Sequence, residues 1–61
     1  MTGADFVRVA ATLGISVRQL SIRLGLSDNT GRAYAAGRAT IPLYIAFACA
    51  AVVRGLAPYP D

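Results

Sequence analysis

The side chains of this chain that can do chemistry are arginines and small polar groups gathered in its middle third. Arg18, Arg23, Arg32 and Arg38 fall there, with Asp28 as the only acid among them. Gln19, Ser27, Asn29 and Thr40 are interleaved. A guanidinium forks onto phosphate oxygens or onto O6 and N7 of guanine, and a carboxamide matches N6 and N7 of adenine. The formal net charge is +3, and every basic residue is an arginine. Such a local excess suits a phosphate backbone, and solubility accounts for it equally well. Catalysis is poorly served: histidine is absent, the three aspartates are scattered, and nothing pairs Cys49 or a serine with a base. One cysteine without histidine can form neither an internal disulfide nor a zinc site. The expectation is a non-enzyme with no metal, cofactor or small-molecule ligand.

The elements that must position these groups are punctuated in the sequence. Thr2 and Asp5 have capping-box spacing, Phe6, Val9, Ala10 and Leu13 follow at helical period, and Gly14 supplies a stop. Ser16 and Gln19 form a second box. Val17, Leu20, Ser21 and Leu24 then share one face up to Gly25, which gives a helix of about eight residues. Such a helix is too short to persist alone, so it must be packed. Ile22 lies off that stripe. Ser27 is the next cap, Asp28 complements the dipole of helix three, Gly31, Tyr34 and Ala35 face inward, and Gly37 ends the segment. Thr40 is expected to cap a fourth helix with Pro42 in its first turn, running to about Arg54 and Gly55. Its stripe of Ile41, Ile45, Ala48, Cys49 and Val52 faces the core. Leu43, Tyr44, Phe47, Ala51 and Arg54 form another stripe, assigned to a twofold partner.

Two short helices joined at Gly25-Leu26-Ser27 have helix-turn-helix spacing. Gly25 permits the turn, small Ser21 permits close crossing, and Leu20, Leu24, Leu26 and Tyr34 are expected to wedge the two helices at a fixed angle. The runs Ile15-Ser16-Val17-Arg18-Gln19-Leu20-Ser21, Leu24-Gly25-Leu26-Ser27, Arg32-Ala33-Tyr34, Gly37-Arg38 and Ile41-Pro42 resemble the Cro/C1-type (Xre) helix-turn-helix family over residues 4 to about 54. Gly25-Leu26-Ser27-Asp28, Arg32, Tyr34 and Ile45-Ala46-Phe47-Ala48 also look, more weakly, like the short phage anti-CRISPR-associated repressors. The resemblance implies an all-α bundle of four or five helices of the lambda repressor-like kind. It further implies a dimer on operator DNA, often autoregulatory. Val17 stands where the family usually carries a glutamine that touches the DNA backbone. Gly31 stands where it carries a branched aliphatic, and is expected to leave a gap.

The expected organisation is a DNA-binding domain over residues 1–56 and a tail over 57–61. Asn29, Arg32, Asp28 and Ala33 are expected to face base edges, since the N-terminal part of a recognition helix does so. Arg18, Gln19, Ser27, Arg38 and Thr40 are expected at the DNA backbone. One such helix reads too few base pairs to single out an operator, so a homodimer on an inverted repeat, in double-stranded DNA, is expected. The alternative is an antitoxin-like or accessory module whose helix four binds another protein. A third reading is a membrane-active peptide, because the chain is 56% hydrophobic. Against it, the uncharged run from Ala39 to Val53 falls short of the roughly 18–20 residues a spanning helix needs, and glycines interrupt any long amphipathic helix. The N-terminus lacks the basic and apolar regions of a signal peptide, so a cytoplasmic protein is expected.

Overall fold

Four helices form where four sets of local signals place them. The structure, a computed structural model, describes residues 1–60. It contains α1 (Gly3–Leu13), α2 (Val17–Arg23), α3 (Asp28–Ala35) and α4 (Leu43–Val53), and no strand among the described residues. Both expected capping boxes form. Thr2 Oγ1 accepts from the Asp5 N–H at 3.1 Å while Asp5 Oδ2 accepts from the Thr2 N–H at 2.8 Å. Ser16 and Gln19 repeat the arrangement at 3.1 and 2.9 Å. Each box satisfies two N–H groups that helix geometry leaves without partners.

The turn between α2 and α3 rests on Gly25, whose φ of 74° lies where a side chain would be strained. That conformation lets the Leu26 N–H donate to the Ser21 carbonyl at 2.8 Å and the Gly25 N–H to that of Ile22 at 3.1 Å. Two orphan carbonyls of α2 are thereby satisfied, and the chain turns sharply into α3.

The core lies where all four helices meet. Phe6, Ala10, Leu20, Tyr34, Ile45 and Cys49 are buried, with Leu13, Ile15, Val17, Leu24, Leu26 and Ile41 partly buried around them. Phe6 and Tyr34 meet edge to face, with ring centroids 5.6 Å apart. This is a favoured geometry for two aromatic quadrupoles. Leu20 and Tyr34 form the inner part of the expected wedge, and Leu24 and Leu26 its margin. The radius of gyration, 10.5 Å, is that of a compact domain of this length. No helix among the described residues is long and apolar enough to cross a membrane.

Two expectations require correction. Thr40 does not cap the fourth helix. Pro42 occupies the N-cap position with extended backbone, no side chain caps the helix, and Thr40 is exposed in the connection. The proline ring disfavours helical backbone at Ile41, the residue that a Thr40 cap would make the first of the helix. Gly31 does not leave a gap. A Cβ built there would fall onto the Ser21 hydroxyl and within 2.8 Å of the Ser21 Cβ. Ser21 is fully buried, and its Oγ donates to the Val17 carbonyl at 2.8 Å, which fixes its rotamer. The pair Ser21–Gly31 is the point of closest approach that lets α2 and α3 pack against each other.

Candidate nucleic-acid interface

The burial pattern of α3 divides its circumference. Gly31 and Tyr34 are buried, and Ala35 is half-buried beside them. At about 100° per residue, the direction opposite these three is occupied by Asn29, flanked by Arg32 and Ala33. Asn29 and Arg32 are exposed, while Asp28 and Ala33 are half-buried. Of the four residues expected at base edges, Asn29, Arg32 and Ala33 thus share the outward side of α3, whereas Asp28, half-buried and about 60° from Gly31, sits at the edge of the inward side next to Ala35.

Asp28 has a second partner besides the helix dipole. Its Oδ2 lies 2.9 Å from Arg32 Nη2, one turn along the helix. An exposed i,i+4 pair of this kind contributes only a few tenths of a kcal/mol. It nevertheless holds the guanidinium along the outer face of α3, and a carboxylate so engaged is less free to accept from a cytosine. The same holds for Ser27. Its Oγ accepts from the Thr30 N–H at 3.1 Å and donates to Thr30 Oγ1 at 2.9 Å. The hydroxyl is used inside the cap, so the groups free to meet a phosphate at this end are the backbone N–H groups of Asp28 and Asn29. The Ser27-x-x-Thr30 spacing was the signal for Thr30, which the reading of the sequence passed over.

On α2, Leu20 and Ser21 point inward while Arg18, Gln19, Ile22 and Arg23 are exposed. Gln19 caps Ser16 through Oε1 and keeps its amide N–H groups as donors. Val17 is half-buried against the core rather than turned outward, so a longer polar residue there would face the interior. Ile22, 63% exposed, stands between Arg18 and Gln19 on the helix surface. Arg18 lies one turn before Ser21, and Arg32 directly follows Gly31. Both arginines are exposed, on two helices that pack against each other.

Arg38 and Thr40 are exposed at the other end of α3. Gly37, at φ 74°, lets the Arg38 N–H donate to the Ala33 carbonyl at 2.9 Å, which anchors the Arg38 backbone to the helix. The eight residues of α3 span about 12 Å, so these two groups are set apart from the Ser27 end. The start of α1 abuts this end: a Cβ at Gly3 would come within 2.6 Å of the Tyr34 carbonyl oxygen.

Four of the six arginines have no ion-pair partner among the described residues. Both ion pairs among the described residues are local, Asp5–Arg8 at 3.3 Å and Asp28–Arg32 at 2.9 Å. Arg18, Arg23, Arg38 and Arg54 face no acid among the described residues. Asp5 is held below the usual carboxylate range, chiefly by the Thr2 backbone N–H and then by the Thr2 hydroxyl. Burial raises the Cys49 thiol, so the side chain stays neutral and behaves as a small apolar residue of the core.

The outer face of α4 is bare. Leu43 is 72% exposed, and Tyr44 and Phe47 are each 69% exposed. Ala51 is half-buried and Arg54 exposed. The inner stripe meets the core through Ile45 and Cys49.

No family model matches this chain, and neither a curated protein nor a solved structure matches it.

Proposed function

We propose that this chain is a sequence-specific DNA-binding repressor. In this reading α2, the Gly25 turn and α3 act as a helix-turn-helix of the Cro/C1 type, and two copies bind an inverted-repeat operator. One observation carries it: Asn29 and Arg32 share the outward face of α3, next to an α2 whose exposed side bears Arg18 and Gln19. In a major groove, Arg32 bonds guanine O6 and N7 and Asn29 bonds adenine N6 and N7, each pair discriminating by about 1–3 kcal/mol. Ala33 offers a methyl to a thymine. Arg18, Gln19 and the first N–H groups of α3 hold one stretch of phosphates, and Arg38 with Thr40 holds another. On DNA the Arg32 guanidinium exchanges its exposed Asp28 partner for the base, at small cost because an exposed pair of this kind is weak. The Ser21–Gly31 contact supports this reading because it fixes the angle between the two helices.

The test is selection from a pool of random duplexes. Enriched sequences with dyad symmetry and half-sites one helical turn apart, about 34–36 Å, are expected. Failure to enrich any sequence, with binding equal across the pool, contradicts the reading.

The bare Leu43, Tyr44 and Phe47 also favour a second reading, in which the same fold serves as an antitoxin-like or accessory module and α4 grips a different protein. A chain that is monomeric alone and associates only with an unlike protein supports that alternative.

A further inference from the structure

The surface of α4 is uneven along its length, and the unevenness is self-complementary. Tyr44, Phe47, Ala48, Ala51 and Gly55 recur at i, i+3, i+4, i+7 and i+11, so they lie on one stripe. Its first half carries two aromatic side chains that are mostly bare. Its second half carries small residues, and these form the floor of an open groove of about 580 Å³. One wall of the groove is the end of α2, Arg23, Leu24 and Gly25, and the other is the segment from Leu56 to Pro58.

We infer that the occupant of this groove is a second copy of the chain, paired through antiparallel α4 helices, with Tyr44 and Phe47 of each copy seated over the small-residue half of the other. This rests on the dimeric repressor reading and specifies how its two copies meet. A dyad between positions 49 and 50 of α4 sets Tyr44 opposite Gly55, Phe47 opposite Val52 and Ala48 opposite Ala51. Small residues nearest the dyad allow close approach of the helices, and large residues at the ends fill the space beside them. The contact is isologous, so each knob and each groove is used twice and the assembly closes at two copies. Tyr44 and Phe47, each 69% exposed, present about 300 Å² of bare surface per copy. Covered in both copies with the walls they meet, this gives about 1,200 Å², the lower limit for a specific stable interface. Arg23 at the groove wall can stack its guanidinium on an incoming ring.

Sedimentation equilibrium of the full chain without DNA, over a range of concentrations, tests this. The expected result is a monomer–dimer equilibrium with no larger species. Phe47→Ala, which removes one knob from each copy, weakens it about a hundredfold. Ala51→Glu, which puts a charge into the groove, abolishes it, with unchanged circular dichroism showing that the monomer remains folded. A mixture of Tyr44→Cys and Gly55→Cys chains, oxidised together, forms the mixed disulfide in preference to either self-pair, because an antiparallel pair brings these opposed positions together. A chain that stays monomeric, a dimer indifferent to both substitutions, or predominant self-pairs overturns the inference. Duplex selection separates the two ideas: a monomeric chain that still selects a symmetric operator sinks only the α4 pairing, and an α4 dimer that selects none sinks only the DNA reading.

Discussion

Gly31→Ala sets two forces against each other, and their sizes decide the sign. In a helix interior alanine is better than glycine by about 1 kcal/mol, which alone predicts a more stable protein. The new Cβ, however, would meet both the hydroxyl and the Cβ of Ser21. Ser21 cannot turn away, since it is fully buried and its hydroxyl is bonded to the Val17 carbonyl. Relief requires the two helices to move apart, and overpacking of this kind costs typically 1–3 kcal/mol. A contact so close belongs at the upper end, so the net destabilisation is about 2 kcal/mol. For a domain of 61 residues that lowers the melting temperature by about 15 °C. Thermal unfolding followed by circular dichroism, at fixed protein concentration, measures it. Adding Ser21→Gly moves the Cβ from one helix to the other, and the double-mutant cycle should show a favourable coupling of at least about 1 kcal/mol. If Gly31→Ala raised the melting temperature, or if the two substitutions were additive, the close crossing of α2 and α3 would be wrong.

Four further outcomes follow from the same structure. Arg32→Ala relaxes base preference at one position per half-site, whereas Arg18→Ala or Arg38→Ala weakens binding to all sequences alike, as competition among selected duplexes will read. Affinity falls steeply as salt rises, because released counterions drive much of the binding, and each phosphate-contacting arginine removed reduces the log–log slope by about one. Asp5 is depressed in the folded state, so its contribution is present at neutral pH and is lost as pH falls through its folded value. Acid titration of Asp5→Asn should therefore show a shallower loss of stability at low pH than the parent. Cys49 is 1% exposed with a raised thiol pKa, so alkylation at neutral pH should proceed only at the rate of opening and should accelerate in denaturant.

How much of this was legible in the sequence depends on the range of the interaction involved. Capping boxes at Thr2–Asp5 and Ser16–Gln19 and the turn at Gly25 are local, and spacing alone located them. The core residues Phe6, Leu20, Tyr34 and Ile45 followed from helical period. Thr40 misled because a good capping residue near a proline looks like a helix start, while the constraint Pro42 places on Ile41 delays it. Gly31 misled for a different reason. Reading the chain one helix at a time shows a missing side chain, and only the tertiary structure shows that Ser21 already fills its place. The outward group on α3 was legible from burial phase, but the Asp28–Arg32 pair and the internal use of the Ser27 hydroxyl depend on rotamers. The groove beside α4 was not legible, because it joins residues around position 24 to residues around position 55. Exposed Ile22 has no structural explanation.

The most direct measurement is amide chemical-shift mapping of the isotope-labelled chain titrated with a mixed-sequence duplex at low salt. The account predicts that shifts concentrate at Arg18, Gln19, Asp28, Asn29 and Arg32, with a second group at Arg38 and Thr40, while Leu43, Tyr44 and Phe47 stay unmoved. Shifts confined to α4, or absent from the first turn of α3, would contradict it.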